Sequence, residues 1–537
     1  MQQYDRRLPA MNIGRFMIFM LLVAVLGVPF ALRPAQERSA SGENVPSVVI
    51  VTPHVPQIRR EFTEAFDRWH QRKFGTPVRV DWRVPGGTSE IIKQLEGQYH
   101  AAAAMGLIDF SEPKDPKIAP NVMSIDIMFG GGSYEHTRLK TGIKFKESGA
   151  DKGERTIPLS IPAGFTQQQL DDWYGVNKIG SGFLYDPDQY WMGTALSAFG
   201  IVYNEDMFRK VFPDREQPFP QSFDDLADPK LIGLITLADP RQSGSVTTTF
   251  EAILNFYGWE KGWKLLREMC ANTRSFTNSS PKTPLDVAQG EAAAGLTIDF
   301  YGRGQAQAIV KPGDDADTSR VGYVDPKGST YIDADPISIL RGAPNLEIAK
   351  RFVEFTLTDD AQALWQFHTV NHPKAVAYPK DADGLTLGPR HAELRRMPVR
   401  RAMYERYSDL MIDPLAPFEV ASDVKPAGWR SAIGLMMGAF AVDVAHEQRE
   451  AWGALNRARQ SQGFPVSVLE EMERLFYAWP TTTVGEIDLE FTPSNYKAIR
   501  DSWRATGAQK AAEVQYTTYF RSNYERIVEL ERANMPN

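Results

Sequence analysis

The residues Ser243, Gly244 and Ser245 could bind an anion, because they stand where an apolar strand gives way to a helix. Residues 234–238 form the predicted strand, and the apolar side chains of residues 246–257 then recur at helical spacing. Free backbone N–H groups, two hydroxyls and the positive end of the helix dipole would point to one place. Serine is also a preferred N-cap residue, so a simple helix cap is the alternative interpretation.

His54 lies in a short loop that follows the apolar strand predicted at residues 47–51. All-apolar strands of this length are typical of buried parallel sheets. Ligands of such sheets bind beyond the carboxyl ends of the strands, so we expect His54 to contact a ligand. A hydrogen bond from His54 to the backbone of its own loop is the alternative.

Gly131, Gly132 and Ser133 follow the strand predicted at residues 123–129 and are candidates for the same reason. Three consecutive glycines allow a ligand to approach the backbone closely, although they are equally compatible with a flexible loop tip. The alternation of strands and helices over residues 47–129 predicts an α/β fold with a parallel sheet.

Asp299 and Tyr301 follow another predicted strand, at residues 292–298, and Asp335 lies within the apolar strand predicted at residues 331–340. Asp299 and Tyr301 are candidate ligand contacts at the end of a strand in a second α/β unit, and Asp335 is a further candidate, in the strand that follows this unit. For Asp299, a cap on the turn after the strand is the alternative interpretation.

Composition excludes several functional classes. The net charge of −7 gives no electrostatic support to a nucleic-acid partner. The single cysteine, Cys270, can form neither an internal disulfide nor a cysteine metal cluster. Neither a Gly-x-Ser-x-Gly nucleophile motif nor a His-Glu-x-x-His zinc motif occurs, so we predict a binding protein that has no cofactor and is not an enzyme.

The N-terminal region has the layout of an export signal. Residues 1–15 carry three arginines and are the predicted cytoplasmic n-region, residues 16–32 are uncharged and apolar, and residues 33–46 form a polar linker. The apolar run is near the lower limit for a membrane-spanning helix and lacks a clean cleavage site. We therefore expect export to the periplasm or cell envelope, with residues 16–32 either a signal peptide or an inner-membrane anchor.

Seven short segments in this order resemble the extracellular solute-binding proteins of ABC importers, in the branch that binds ferric iron, phosphonates and sugar phosphates. The resemblance covers roughly residues 47–375, and its segments are residues 52–54, 126–132, 196–204, 222–229, 239–245, 335–340 and 349–355. It implies a type II periplasmic-binding-protein fold, in which two parallel-sheet lobes joined by hinge crossovers hold a solute between them.

On this resemblance we place the crossovers at residues 199–204 and 331–336. The expected domains are lobe one at residues 47–202 and 331–390, lobe two at residues 203–330, and a helical C-terminal extension at residues 391–537 that packs on lobe one. Residues 141–188 lack clear periodicity and are expected to cover the surface. The basic stretch at residues 394–401 is interpreted as a solvated face.

The resemblance implies a small-molecule solute and an ABC permease as partners. Relatives that bind iron use a histidine in the first loop, an acidic residue after the third strand and two adjacent tyrosines. Here His54 and Tyr301 are available, but glycines stand in place of the acid and Phe300 in place of one phenol. Ferric iron requires several anionic oxygen or imidazole ligands, so a phosphate-, phosphonate- or carboxylate-bearing solute is favoured over iron. A membrane-tethered sensor or scaffold with the same fold is the alternative function.

Overall fold

The computed structural model describes residues 45–112, 115–120, 122–146, 153–310, 318–413 and 415–536. The export signal or anchor predicted at residues 16–32 lies outside these ranges. The elements discussed below belong to the unit Ser47–Asn537. Of the helices in the described ranges, none combines the length and the apolar character needed to cross a membrane.

The strands alternate with helices along the first three-fifths of the chain and become rare after that. The strands are β1 Ser47–Val51, β2 Arg79–Arg83, β3 Ile108–Asp109, β4 Lys117–Ile118, β5 Ile127–Phe129, β6 Ile143–Lys146, β7 Glu154–Ile157, β8 Ser160–Ile161, β9 Met192–Asn204, β10 Ile235–Ala238, β11 Thr273–Thr277, β12 Ala294–Ile298, β13 Val321–Val324, β14 Ile332–Leu340, β15 Met397–Pro398, β16 Thr481–Val484 and β17 Ile487–Glu490.

The helices are concentrated on the faces of the sheet and in the C-terminal part. They are α1 Pro56–Phe74, α2 Thr88–Ala104, α3 Ser133–Thr141, α4 Gln167–Tyr174, α5 Glu205–Val211, α6 Gly244–Tyr257, α7 Trp259–Ala271, α8 Lys282–Ala288, α9 Asp299–Ala308, α10 Leu346–Thr356, α11 Asp359–Gln366, α12 Arg401–Tyr407, α13 Pro417–Val420, α14 Arg430–Phe440, α15 Ala445–Gln460, α16 Val466–Tyr477, α17 Tyr496–Ser502 and α18 Ala508–Asn534. Short 3₁₀ helices occur at Phe223–Ala227, Pro229–Leu231, Pro373–Ala377, Ser408–Leu410 and Val442–Val444.

One large sheet organises the chain, with the strand order β11-β10-β12-β9-β14-β5-β1-β2. Strand β1 pairs in parallel with β2 and β5, and β10 pairs in parallel with β11 and β12. The long strands β9 and β14 join these two groups and run antiparallel to each other and to their outer neighbours. We call the group with β1 the first half and the group with β10 the second half. The predicted α/β fold with two parallel-sheet lobes is confirmed.

Strand β9 belongs to both halves. Its residues 192–198 pair with β14, and its residues 199–204 pair with β12 and β13. The chain returns to the first half between Val324 and Ile332. Both crossings therefore lie a few residues earlier than the sequence predicts, because the apolar run of β9 continues without a break from one half into the other.

The first half packs around the apolar face of α1. Ile58, Phe62 and Phe66 are buried, as the helical spacing of these residues predicts. The ring centroids of Phe66 and Phe352 lie 4.9 Å apart, edge to face, so α1 and α10 share one core. This core holds β1 and β5 rigidly at their carboxyl ends.

The segment at residues 141–188 differs from the expected surface covering. It contains the hairpin β6-β7, strand β8 on the edge of β14, and helix α4, which begins with a capping box between Thr166 and Gln169. Leu170 and Tyr174 belong to the core of the first half, and the Tyr174 hydroxyl donates to the Gly193 carbonyl over 2.7 Å. The apolar residues of this segment are too widely spaced to show periodicity, yet several of them, including Leu170 and Tyr174, are buried.

The C-terminal extension does not pack as expected. Its first part contacts the first half, where β15 pairs with β9 and Leu394 joins that core. Helices α14–α18 instead complete the core of the second half, where Phe440 and Trp452 pack with Trp263 of α7. Helix α7 exposes a broad apolar face that nothing else in the second half covers, and this need for burial directs the extension there.

Candidate functional site

A cavity of about 350 Å³ lies between the two halves of the sheet and takes its walls from both. Eight of the ten ligand-binding residues predicted from the sequence line it: His54, Gly131, Gly132, Ser243, Gly244, Ser245, Tyr301 and Asp335. The carboxyl ends of β1, β5, β10 and β12 converge there, as expected for ligand sites in parallel sheets.

Ser243, Ser245 and Ser280 form a cluster of hydroxyls at the start of α6. The Oγ atoms of Ser243 and Ser245 each lie 2.7 Å from the Oγ atom of Ser280. Ser243 is also the N-cap, because its Oγ accepts from the Val246 N–H. Ser245 lies one residue inside the helix and has no capping role. The cap therefore explains Ser243 and leaves Ser245 without a structural purpose.

Further helix N-termini face the same cavity. Helix α2 starts after Gly87, α3 starts after Gly132, and α9 starts after Ile298, and all three of these residues line the cavity. Glycine and isoleucine offer no side-chain acceptor, so first-turn N–H groups are left for other partners. Together with α6, these helices direct the positive ends of four dipoles toward one space.

The floor of the cavity is a buried polar cluster around Arg396, of which 1% is exposed. Its Nη2 donates to the Ser197 Oγ over 2.6 Å and to the Asp335 carboxylate, and its Nη1 lies 3.0 Å from the His54 Nε2. Arginine only donates, so the His54 Nε2 accepts and its proton sits on Nδ1. Burial lowers the pKa of His54, which agrees with this neutral form.

Three polar atoms of this cluster have no hydrogen-bond partner in the part of the chain that the structure describes. They are the Arg396 Nε, the His54 Nδ1 and the Asp335 Oδ1. Buried polar atoms are normally paired, so orphaned atoms beside a cavity are consistent with a polar guest.

The three glycines after β5 are constrained rather than a flexible tip. Gly130 and Gly131 have φ values of 96° and 117°, which side-chain-bearing residues rarely adopt. A Cβ on Gly130 would lie 2.6 Å from the His54 ring, and one on Gly131 would lie 2.7 Å from the Thr88 Cγ2. The close approach that requires glycine is therefore made by the protein's own side chains.

Two predicted site residues lie elsewhere. Asp299 is fully buried and away from the cavity: its Oδ1 accepts from the Ala198 N–H and its Oδ2 from Arg303. Burial raises the pKa of Asp299 to about 7. Asp299 thus links α9 to β9 through its hydrogen bonds. This structural role is similar to the turn cap that was the alternative interpretation of this residue. Ser133 lines a neighbouring cavity, where its N–H donates to the Asp333 Oδ2 over 2.9 Å.

Arg396 is a site residue that the sequence did not reveal. The stretch at residues 394–401 was expected to be a solvated face, yet Arg395 and Arg396 are both buried. Arg395 pairs with Asp413, and Arg396 pairs with Asp335. In the sequence, a run of arginines that is solvated has the same pattern as one that pairs with distant carboxylates. The local pattern therefore could not predict that these arginines are buried.

Further lining residues also escaped prediction: Ser197, Ser280, Phe300, Glu135 and Asp333. Glu135 is in the first turn of α3, and Asp333 is in β14. Burial raises the pKa of Glu135, and burial together with the neighbouring Glu135 raises the pKa of Asp333 to about 6. The site is therefore not uniformly attractive to anions.

Comparison with known proteins gives three partial relatives. The chain is 29% identical over 145 residues to an uncharacterized protein of Haemophilus influenzae, covering 27% of this chain and 39% of that one. It is 24% identical over 216 residues to iron uptake protein A1 of Synechocystis, covering 38% of this chain and 56% of that protein. It is 24% identical over 282 residues to the phosphoglycerate transport regulatory protein PgtC of Salmonella typhimurium, covering 49% of this chain and 65% of that protein.

The chain thus spans less than two thirds of the length of these curated relatives. Among solved structures, a ferric binding protein from Campylobacter jejuni aligns with a TM-score of 0.46 at 15% identity, covering 76% of this chain and 99% of that one. Residues 165–388 match the family described as bacterial extracellular solute-binding protein. This match confirms the resemblance found in the sequence over residues 165–388, where the chain is similar to the bacterial extracellular solute-binding proteins.

Proposed function

We propose that this protein is the solute-binding component of an ABC importer and captures a small anionic solute between the two halves of its sheet. The observation that carries the proposal is the cavity walled by both halves, into which α6 directs Ser243, Gly244 and Ser245. The family match over residues 165–388 supports binding and delivery rather than turnover.

The anionic group of the solute would sit at the start of α6. There the first-turn N–H groups and the hydroxyls of Ser245 and Ser280 donate, and these hydroxyls can rotate to suit the anion because the hydrogen bonds of their Oγ atoms are with hydroxyls of the same serine cluster. Charge-assisted hydrogen bonds of this kind contribute roughly 1.5–3 kcal/mol each. Arg396 adds a fixed positive charge at the floor, partly neutralised by Asp335.

Binding would close the cleft about the two crossings of the chain between the halves. One crossing is the middle of β9, and the other is the segment between β13 and β14. Two connections of this kind allow the halves to rotate with little change in either core. Two pairs of residues across the cleft, Glu135 with Gly244 and Tyr134 with Arg430, are already close enough to touch.

The names of the relatives offer phosphoglycerate transport and iron uptake as alternatives. A phosphate-bearing solute agrees better with the site, since a guanidinium occupies the place beside His54 where iron would need an anionic ligand. Within the described ranges, the acidic, histidine and cysteine side chains form no group of three or more that could hold a metal ion. His54 and Tyr301 alone are too few ligands for ferric iron.

Export to the periplasm, delivery to a permease and attachment by residues 16–32 belong to the same proposal. The family supports an extracellular place of action. Sequencing the N-terminus of the protein from envelope fractions would decide between a cleaved signal and a retained anchor. A full-length product found in the cytoplasm would contradict export.

The decisive experiment is calorimetry of the purified full-length protein with 3-phosphoglycerate, with inorganic phosphate and with ferric citrate. We expect saturable binding of the phosphate ester, no chemical change of the recovered ligand, and weaker binding to Ser245→Ala. Mass spectrometry of the ligand released from protein made in its native host would identify the natural solute. Tight binding of ferric citrate alone, unaffected by Ser245→Ala, would overturn the anion site.

A further inference from the structure

Glu135 and Asp333 are the part of the cavity that an anion alone does not explain. Both carboxylates line the cavity between the halves. Glu135 is 9% exposed, and in the described ranges neither residue has a lysine, arginine or histidine within ion-pair distance. Burying a charge without a counter-ion is costly, so two such carboxylates facing one cavity require an explanation.

Both carboxylates approach the backbone at Gly132. A Cβ on Gly132 would lie 3.0 Å from the Glu135 Oε2 and 3.1 Å from the Asp333 Oδ2. A Cβ on Gly244, across the cleft, would lie 3.2 Å from the Glu135 Oε1. Both carboxylates thus pack closely beside Gly132, and that of Glu135 also approaches Gly244 across the cleft, so acceptor oxygens from two elements lie together at this wall of the cavity.

The N-terminal end of α3 stabilises these two carboxylates, but it supplies no positively charged side chain to pair with them. The Ser133 N–H donates to the Asp333 Oδ2, and Glu135 is in the first helical turn, where a negative charge is favourable. Even so, burial raises the pKa of both carboxyl groups, and for Asp333 the neighbouring Glu135 adds to the effect. Each carboxylate still lacks a positive partner.

Arg430 is the nearest candidate partner, and it is already engaged. Its Nη1 donates to Glu251 and Thr248 over 3.0 Å each, and its Nη2 donates to the Gly244 carbonyl. Its guanidinium also lies 4.7 Å from the Tyr134 ring centroid. Arg430 thus reaches the edge of the cleft from the C-terminal extension, where its charge favours the Glu135 carboxylate without forming an ion pair with it in the described ranges.

A second cavity, of about 680 Å³, adjoins this place. It shares Glu135 and Asp333 with the first cavity, and residues of the extension, among them Gly428 and Arg430, form one of its walls. The two carboxylates therefore stand at the junction of an inner chamber, which holds the serine cluster, and an outer chamber that the extension completes.

We propose that Glu135 and Asp333 form a subsite for a protonated amine, so that the solute carries an ammonium group in addition to its anion. This inference rests on the proposed function, since it describes a second group of the same solute. The anion binds at the start of α6, the ammonium binds at the junction beside Gly132, and the remainder of the solute can extend into the outer chamber. The paired carboxylates would make a hydroxyl group in that place a poorer partner than an ammonium.

Two matched pairs of probes test the subsite, because the members of each pair differ only in an ammonium or a hydroxyl. The pairs are phosphoserine with 3-phosphoglycerate, and glucosamine 6-phosphate with glucose 6-phosphate. In calorimetry at pH 7.5 we expect the ammonium member of at least one pair to bind about ten- to hundredfold more tightly. Glu135→Gln and Asp333→Asn should each reduce this preference to about threefold or less.

Glu260→Gln is the control, since Glu260 also stands in the first turn of a helix, α7, but is solvent-exposed and lines neither chamber, and it should leave the preference unchanged. Equal binding within both pairs, or a preference that survives in both acid variants, would overturn the subsite and leave the proposed function intact. Binding of none of the four probes would contradict the phosphate-binding function and this inference with it.

Discussion

The Nη1 of Arg396 lies 3.0 Å from the Nε2 of His54, although 342 positions separate the two residues in the chain. The contact joins the loop after β1 to the segment just before β15, and Asp335 of β14 completes it. This buried contact places a neutral imidazole and a fixed positive charge at the floor of the cleft. It also makes the first half dependent on a residue that lies beyond the family match at residues 165–388.

Arg396→Ala is expected to destabilise the protein by about 3–5 kcal/mol, because the Asp335 carboxylate would remain buried without its partner. The measurement is urea unfolding followed by tryptophan fluorescence. Adding Asp335→Asn should recover much of the loss, since the remaining amide carries no charge, while binding of phosphate esters should stay weak. Equal stability of Arg396→Ala and the wild type would show that the ion pair makes no net contribution.

Ser245→Ala is expected to weaken binding of a phosphate-bearing solute about ten- to hundredfold, through loss of one charge-assisted hydrogen bond. Ser245→Asp should bind still more weakly, because a carboxylate would occupy the start of α6. Ser243→Ala should instead lower stability by about 1 kcal/mol, as expected for loss of the N-cap. Calorimetry paired with thermal unfolding separates the two roles. Normal affinity in Ser245→Asp would place the anion elsewhere in the cleft.

Asp333→Asn is expected to raise the free energy of unfolding by about 1–3 kcal/mol at pH 8. Burial raises the pKa of Asp333 to about 6, above the value of about 4 for an unfolded chain. The stability contributed by the protonated carboxyl is complete below pH 4 and is lost as pH rises through 6. Asparagine never ionises and avoids this loss.

The gain from Asp333→Asn should therefore shrink as the pH falls from 8 to 4. Denaturant titrations at several pH values provide the measurement, and Asp443→Asn, at a half-exposed residue paired with Arg241, serves as a control with the opposite sign at pH 8. A destabilised Asp333→Asn at pH 8 would mean that this carboxylate is better solvated than its burial indicates.

Gly130→Ala is expected to destabilise the protein by about 2–4 kcal/mol and to weaken solute binding, because the added methyl would press on the His54 ring. Gly328→Ala is a matched control: its φ is also positive, at 78°, but an added Cβ would meet nothing within 4 Å. The control should lose only about 1 kcal/mol from backbone strain and keep full affinity. Similar effects of the two substitutions on affinity would argue against the packing of Gly130 on His54.

The sequence by itself determined the elements whose residues interact locally. The apolar spacing of residues 246–257 is satisfied within one helix, and Ser243 caps it without help from distant residues. The mostly apolar segments that form β9 and β14 similarly predict buried strands, because a strand covered on both faces has side chains hidden along its whole length. These patterns, with their order along the chain, were sufficient for the fold class and for eight of the residues that line the cavity.

Only the tertiary structure decided which polar residues face the cavity. Asp299 and Asp335 both accompany apolar strands in the sequence, yet Asp299 turns away to bond with β9 while Asp335 faces the cavity. Arg396 is buried because its partners come from far along the chain, and the C-terminal helices pack where α7 leaves apolar surface uncovered. A charged side chain can be buried only where oppositely charged or hydrogen-bonding groups contact it. Which groups come into contact depends on the folded chain as a whole.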